Sequence, residues 1–198
     1  MFFAAGPGGA EEFGPEGLEV GDLFITDAAG GVTLAAGAVT VPLGRGWRLC
    51  FQKQYQEFWR EADGRGSFSR TMVPDVVLAG DEAHFGGGLP RLIVLDAKYR
   101  IEEGLLVSLN SIHTYRDALV RESSTGKPEG IVSAAYLMAP HMPADLTPGY
   151  RDTPLPGRLF HPEYRRSFRF GAVTLRPGMT TADLTAALRS IVADATAP

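Results

Sequence analysis

The chain has 198 residues, of which 44% are hydrophobic, and a formal net charge of −4. This length and composition predict one well-buried core rather than two full domains. The 24 glycines and 14 prolines indicate many turns and exclude a coiled coil or a protein of long helices. Because the net charge is negative, the totals alone do not indicate a protein that binds polyanions.

The cysteine content and the N-terminal sequence indicate the cellular compartment of the protein. Cys50 is the single cysteine, which excludes internal disulfides and a thiol-rich zinc site and is typical of a reducing cytoplasm. Its place in the apolar run WRLCF favours a small buried side chain over a reactive thiol. The N-terminal sequence MFFAAGPGGAEEF lacks a basic signal segment, and no window approaches the roughly 18 apolar residues of a membrane span. We expect a soluble, cytoplasmic protein without membrane contact.

The N-terminal half begins without periodicity. Residues 1–20 mix Gly, Pro, Ala and Glu and predict an irregular lead-in, followed by a single domain over residues 21–198. The segments DLFIT, VTLAAGAVTV and WRLCFQKQY are short, rich in β-branched or aromatic residues, and separated by the turn-forming AAGG and PLGRG. They predict an antiparallel β meander.

The middle of the chain predicts the centre of a sheet. PDVVLAG, RLIVLDAKY and GIVSAAYLMAP are apolar on both alternating faces, as strands buried from both sides are. Between the last two, SLNSIHTYRDALVRE has an apolar stripe of helical spacing, and Ser108 is its predicted N-cap. The order strand, helix, strand predicts a right-handed crossover with the helix packed on the sheet.

The C-terminal third starts with a Pro-rich segment, residues 141–166, which we predict to be a long loop. FRFGAVTLRPG then predicts a strand, and TTADLTAALRSIVADA predicts an amphipathic helix capped by Thr180 or Thr181. The predicted fold class is therefore α/β, with a central mixed sheet flanked by helices and preceded by the antiparallel meander.

Charged residues end the buried strand RLIVLDAKYR. Asp96 and Lys98 share one face of this strand because strand side chains alternate. Asp75 begins the preceding strand-like segment, and hairpin pairing of the two segments would bring it beside Asp96. Two adjacent carboxylates repel unless a cation lies between them, and Mg²⁺ prefers oxygen ligands. We predict a magnesium site, open also to Mn²⁺, at Asp75, Asp96 and the backbone carbonyl of Ala97.

Lys98 places a positive charge beside this predicted metal site. Such a charge can orient or deprotonate the attacking water and neutralise charge that grows on a phosphorane-like transition state. The combination indicates hydrolysis of a phosphodiester by in-line attack of water. Two alternatives stay open: Asp96 and Lys98 as a structural ion pair at a strand end, and Asp75 as a turn-forming residue after Pro74.

The pattern PDVVL followed by RLIVLDAKYR resembles the signature of the PD-(D/E)XK nuclease superfamily. The helix NSIHTYRDAL and the segment FGAVTLRPG are more narrowly similar to its McrC-like and related restriction-type branch, and the resemblance covers residues 47–192. It implies a restriction-endonuclease-like fold and a magnesium-dependent DNA endonuclease domain of a restriction or phage-defence system. It also implies that Asp75 and Asp96 bind the metal, that Lys98 is catalytic, and that His113 and Tyr115 line the site or its rim.

The sequence departs from that family pattern in two places. Similar sequences often carry Asp at the start of this helix and Lys before the Ile-His pair, where this chain has Ser108 and Ser111. A further acidic ligand usually comes from an upstream helix, and neither Glu57 nor Glu11 or Glu12 is a convincing substitute. A second hypothesis therefore stays open: a catalytically weak or inactive nuclease-like module that binds nucleic acid or a partner ATPase of a defence system.

A basic and aromatic segment lies near the C-terminus. Residues 151–176 contain six arginines and two acidic residues, interleaved with Phe and Tyr. Such a segment can contact phosphates, although a solvated loop or a partner surface has the same composition. Arg165, Arg166 and Arg169 are the candidate nucleic-acid contacts, and DNA is the expected partner. The sequence leaves open whether the chain forms a homodimer.

Overall fold

The computed structural model describes residues 24–26, 32–34, 39–86, 91–99, 103–140, 143 and 147–196. The predicted lead-in, residues 1–20, lies outside the described residues. The strands are β1 (Phe24–Thr26), β2 (Val32–Leu34), β3 (Val39–Gly44), β4 (Trp47–Phe51), β5 (Arg65–Ser67), β6 (Val76–Gly80), β7 (Arg91–Ala97), β8 (Leu119–Glu122), β9 (Pro128–Gly130), β10 (Val132–Ala139) and β11 (Phe170–Thr174). The α-helices are α1 (Glu103–Ala118), α2 (Pro162–Phe168) and α3 (Thr181–Thr196), and short 3₁₀ helices cover Phe58–Arg60, Glu82–Phe85 and Gly157–Phe160.

A six-stranded mixed sheet forms the centre of the fold, in the order β11-β10-β7-β6-β4-β3. Strands β3 and β4, which lie in the segments of the predicted meander, pair in antiparallel fashion and belong to this sheet. Antiparallel pairing continues from β4 to β6 and from β6 to β7. Strand β10 pairs in parallel with β7, and β11 pairs in parallel with β10. Because α1 connects β7 to the parallel β10, the predicted strand, helix, strand unit is present. Strands β1 and β2 form a separate antiparallel pair.

The side chains of β7 alternate between the two faces of the central sheet. Val94 packs in a buried cluster with Ile112 of α1, whereas Leu95 packs in a second buried cluster with Ile191 of α3. Burial of each such side chain stabilises the fold by about 1.5–3 kcal/mol. Asp96 follows the same alternation and therefore faces α1. The strand is buried on both faces, as the sequence predicted, and this packing fixes the position of Asp96.

A second sheet, of three strands, lies beside the end of α1 and was not predicted. Its order is β5-β8-β9, and all its pairs are antiparallel. The predicted helix extended through Glu122, but the chain leaves the helix after Ala118 and continues directly as β8. The backbone N–H of Phe68, the residue after β5, donates to the carbonyl of Ala118 at 3.0 Å. Pairing of β8 with β5 therefore takes the place of a further helical turn.

The start of α1 also differs from the prediction. The helix begins at Glu103, more than one turn before Ser108, so the prediction that Ser108 is its N-cap is wrong. Ser108 lies within the helix, and its Oγ donates to the carbonyl of Gly104 at 3.2 Å, the bond that a mid-helix serine commonly forms. The physical reason is that Leu105 already belongs to the buried face, with 0% of its surface exposed.

The C-terminal third contains more structure than the predicted loop. Helix α2 follows the 3₁₀ turn Gly157–Phe160, and the side chain of His161 accepts a hydrogen bond from the N–H of Glu163 as its N-cap. Of the two predicted N-caps of α3, Thr180 is the one that the structure shows. Its N–H donates to Asp183 and its Oγ accepts from the N–H of Asp183, which forms a capping box. Thr181 is the first residue of the helix. Among the helices that the structure describes, none combines the length and apolar character needed to span a membrane.

Candidate active site

The two aspartates meet where β6 begins and β7 ends. Val76 pairs with Leu95 in antiparallel register, so Asp75, one residue before β6, stands opposite Asp96. The backbone N–H of Ala97 donates to Oδ2 of Asp75 at 2.8 Å. This bond extends the pairing of the two strands by one step, with a side chain in place of a backbone carbonyl. The structure therefore brings together the two carboxylates that the sequence spacing selected.

Asp96 is buried, with 2% of its side chain exposed, and one of its oxygens receives two donors. Nζ of Lys98 lies 2.6 Å from Oδ2 of Asp96. Oγ of Ser111, on α1, donates to the same oxygen at 2.5 Å. Both are charge-assisted hydrogen bonds, which are stronger than bonds between neutral groups. The orientation of the Asp96 carboxylate is thus fixed from its own strand and from the helix above it.

Ser111 has one hydroxyl proton and two acceptors within reach. Its Oγ lies 2.5 Å from Oδ2 of Asp96 and 2.7 Å from the carbonyl of Ser108. A carboxylate is the stronger acceptor, so donation to Asp96 is favoured. Sequence reasoning noted Ser111 only as a departure from similar sequences. The signal that could have identified it is its helical spacing of four residues from Tyr115, which places both on one face of α1.

Oδ1 of each carboxylate differs from Oδ2 in its hydrogen bonding. Neither Oδ1 atom of Asp75 or Asp96 accepts a hydrogen bond from a donor elsewhere in the described part of the chain. Burial raises the pKa of the Asp75 carboxyl; the Ala97 N–H and the Lys98 ammonium lower it, while the neighbouring Asp96 raises it further. A pair of close carboxylates with two such oxygens is a chemical setting that a divalent cation would stabilise.

The donor set fits a cation held mainly by oxygen. In a strand, the N–H and C=O of one residue point to the same side, so the carbonyl of Ala97 lies on the side of Asp75, where its N–H donates. Two carboxylates and one carbonyl are ligands that Mg²⁺ accepts, with waters completing its shell. No group of three or more His, Cys, Asp or Glu side chains suited to a metal occurs within the described ranges.

None of the other acidic residues that the sequence offered as a metal ligand adds to the oxygen ligands of Asp75, Asp96 and Ala97 in the described structure. Glu57 forms an ion pair with Arg60, 3.6 Å between Oε2 and Nη1, on the neighbouring 3₁₀ segment. Glu11 and Glu12 lie outside the described residues. The described site therefore consists of the Asp75 and Asp96 carboxylates with Lys98 beside them.

Tyr115 lies on the same face of α1 as Ser111 and joins the helix to the segment before Asp75. Its phenolic O–H donates to the carbonyl of Val73 at 3.2 Å. Burial raises the pKa of Tyr115 to about 12, and the charges of Asp96 and Asp75 contribute to the rise. The phenol is therefore protonated at neutral pH and serves as a donor that fixes residue 73, rather than as a base.

His113 lies on a different face of α1 from Ser111 and Tyr115. Its ring is 4.4 Å from the ring of Phe170, centroid to centroid. It lines a second cavity of about 240 Å³, which Arg116 and Phe168 also line. His113 therefore lines this second cavity and contacts Phe170, whereas the family resemblance implied that it lines the site or its rim.

The three candidate nucleic-acid contacts occupy different environments. Arg165 donates to Asp194 at 3.1 Å and to Oγ of Ser190 at 2.8 Å, and only 12% of its side chain is exposed. Arg166 has 66% of its side chain exposed and lies 3.8 Å from the other oxygen of Asp194. Arg169 ends α2 in the left-handed conformation, with φ of 49°. Of the three, Arg165 is largely committed to contacts within the protein.

A mixed sheet with two aspartates and a lysine at the ends of neighbouring central strands defines a nuclease-like fold. A family model described as PD-(D/E)XK nuclease superfamily matches residues 38–143, more than half of the chain. The matched range contains β6, β7 and α1 and includes every residue of the site described above. The chain belongs to this superfamily. No curated protein and no solved structure matches the chain.

Proposed function

We propose that this domain is a metal-dependent DNA endonuclease of the McrC-like restriction-type branch, acting in the cytoplasm in restriction or phage defence. The observation that carries the proposal is the pairing of Asp75 with Asp96 at the ends of β6 and β7, with Lys98 2.6 Å from Asp96. Superfamily membership supports hydrolysis of a nucleic acid. The choice of Mg²⁺, with Mn²⁺ as a substitute, follows from the oxygen-only ligand set.

Each residue of the site has a role in this proposal. Asp75, Asp96 and the carbonyl of Ala97 would hold the cation, which when bound would supply Lewis-acid activation of water and of the phosphate. Lys98 has 29% of its side chain exposed, so its ammonium can reach substrate while it remains paired with Asp96. There it would neutralise charge that develops on the phosphate during attack.

Ser111 is proposed as a positioning residue in the same reaction. By donating to Oδ2 of Asp96, it turns Oδ1 of that carboxylate away from α1 and holds it there. Second-layer hydrogen bonds of this kind orient metal ligands and commonly change metal affinity by about 10- to 100-fold when they are removed. The support is geometric, since the bond is short and its acceptor is buried.

A second candidate function is favoured by two observations. The described residues contain no third acidic metal ligand, and the chain as a whole carries a net charge of −4. A site with one ligand fewer would bind metal more weakly, and the domain would then recognise nucleic acid or dock onto a partner ATPase without cleaving by itself. The two functions differ in whether the purified chain cleaves DNA when Mg²⁺ is supplied.

Cleavage of a supercoiled plasmid tests the endonuclease proposal. Wild-type protein is expected to nick and linearise the plasmid with Mg²⁺ or Mn²⁺ and to leave it intact in excess chelator. Asp96→Asn, which keeps the size of the side chain and removes its charge, is expected to abolish cleavage. Equal cleavage by wild type and Asp96→Asn would identify a contaminating nuclease and refute the proposal, whereas no cleavage by any sample would favour the non-catalytic module.

A further inference from the structure

A cavity of about 500 Å³ opens beside the site, between helix α1 and the segment that precedes Asp75. Lys98 and Ser111, which both contact Asp96, form part of its wall. The opposite wall is the segment 70–73. A space of this size can hold a group as large as a nucleotide. The proposed metal chemistry uses Lys98 and Ser111 and assigns no role to the opposite wall.

The cavity exists because the wall formed by α1 carries small hydroxyl side chains. Ser108, Ser111 and Thr114 line it at helical spacing, where longer side chains would occupy the space. Their hydroxyl protons are donated within the protein: that of Ser108 to Gly104, and that of Thr114 to Asn110. This wall therefore offers little positive potential of its own.

Arg70 supplies a positive charge from the other wall. Its side chain is exposed, and within the described residues its guanidinium has neither an ion-pair partner nor a hydrogen-bond acceptor. Its charge acts on the phenol of Tyr115 across the cavity, lowering the pKa that the neighbouring carboxylates raise. A guanidinium without an internal partner, facing a cavity, is suited to bind a phosphate through two parallel hydrogen bonds.

The backbone that carries Arg70 is held firmly. The N–H of Arg70 donates to Oγ of Ser67 at 3.3 Å. Two residues further on, Met72 and Tyr55 exchange backbone hydrogen bonds of 2.8 and 2.9 Å. The side chain without a partner therefore extends from a fixed base, which reduces the entropy lost when it binds a ligand.

We propose that this cavity is a subsite for the substrate strand, and that Arg70 binds the phosphate adjacent to the one that is cleaved. This inference rests on the proposed nuclease function and names the residue that places the strand beside Lys98. Arg70 would act as a backbone contact, without preference for base sequence, because a phosphate carries no sequence information.

Binding of a fluorescein-labelled DNA oligonucleotide, followed by anisotropy in chelator over a series of salt concentrations, tests the subsite without cleavage. Arg70→Ala is expected to weaken binding by roughly tenfold, as loss of a hydrogen bond to a charged group predicts. It should also lower the slope of log affinity against log salt by about one, and equally for oligonucleotides of different sequence. Arg70→Lys is expected to retain most of the salt slope and to lose part of the affinity.

Arg60→Ala is the matched control, because it removes the same charge from an exposed arginine that does not line the cavity. Thermal unfolding of each variant shows whether it is folded. If Arg70→Ala is not folded, Arg70→Gln takes its place. If Arg70→Ala and Arg60→Ala bind DNA equally and wild type cleaves plasmid, the subsite is refuted while the endonuclease function stands. If wild type neither binds nor cleaves DNA, both proposals are refuted.

Discussion

Ser111 and Asp96 form a 2.5 Å hydrogen bond that joins helix α1 to strand β7 at the centre of the site. The two residues are 15 positions apart in the sequence, and the packing of α1 on the sheet brings them together. Lys98 reaches the same carboxylate oxygen from the strand. This arrangement leaves the other oxygen of Asp96, Oδ1, without a donor among the described residues and free to bind the proposed cation.

Substitution of Ser111 by alanine is expected to lower the affinity for Mn²⁺ by roughly tenfold, because Asp96 loses one of the donors that orient it. Isothermal titration calorimetry of Mn²⁺ binding measures this effect directly. Ser111→Thr keeps the hydroxyl and should restore most of the affinity. Thr114→Ala is the control, since Thr114 lines the same cavity but donates to Asn110 instead. Equal affinities for Ser111→Ala and Thr114→Ala would refute the positioning role.

Substitution of Asp75 by asparagine is expected to raise the stability of the metal-free protein. Burial and the neighbouring Asp96 raise the pKa of Asp75, so the folded state keeps this proton to a higher pH than the unfolded state does. The stability contributed by this group is thus present at low pH and is lost as pH rises through the raised pKa. Melting curves in chelator between about pH 4 and 7 should show a shallower decline for Asp75→Asn.

Added Mn²⁺ should stabilise wild type more than it stabilises Asp75→Asn. Mn²⁺ is expected to raise the melting temperature of wild type, because a ligand that binds only the folded state stabilises it. Asp75→Asn loses one of the carboxylate ligands and should show little rise. A metal-induced rise of equal size in both proteins would show that the cation binds elsewhere.

Lys98→Ala is expected to lower the rate of DNA cleavage by roughly 100- to 1,000-fold, the effect of losing one charge that stabilises a transition state. Affinity for Mn²⁺ should change little, because the loss of a donor that orients Asp96 is offset by removal of a positive charge beside the metal site. Single-turnover cleavage and calorimetry on the same preparation separate the two effects. Lys127→Ala, at an exposed position in the turn before β9, is the control for net charge. A loss of metal affinity that accounts for the whole loss of rate would contradict a catalytic role for Lys98.

Arg165 and Arg166 are expected to respond differently to substitution by alanine. Arg165→Ala leaves Asp194 buried without its closer partner, which typically costs about 3–5 kcal/mol of folding free energy. Arg166→Ala should change stability little because its side chain is mostly exposed. Urea unfolding measures the first effect, and anisotropy with labelled DNA measures whether Arg166 contributes to binding. If Arg165→Ala is as stable as wild type and binds DNA more weakly, Arg165 contacts DNA rather than supporting the fold.

Much of the central sheet could be predicted from the sequence because its strands are buried on both faces. Runs such as RLIVLDA leave no polar face to mislead the interpretation, and Asp96 and Lys98 share a face by strand geometry alone. The proximity of Asp75 to Asp96 followed from assuming that the two neighbouring segments pair as a hairpin. The observed register, Val76 with Leu95, has that pairing.

The parts that could not be predicted depend on contacts between distant residues. Strand β8 has a sequence, LVRE, that continues a helical pattern, and it is a strand because β5 and β9 pair with it. The family resemblance implied that both His113 and Tyr115 line the site or its rim, but residues two apart on a helix face different directions. The commitment of Arg165 to Asp194 joins residues 29 positions apart.

In a crystal of the full chain soaked in Mn²⁺, anomalous scattering locates the metal and so tests the proposed site. We expect one Mn²⁺ ion bound by Oδ1 of Asp75 and Oδ1 of Asp96, with the carbonyl of Ala97 in its shell and Ser111 still donating to Oδ2 of Asp96. Absence of a metal peak at these two aspartates, in crystals that bind Mn²⁺ elsewhere or not at all, would contradict it.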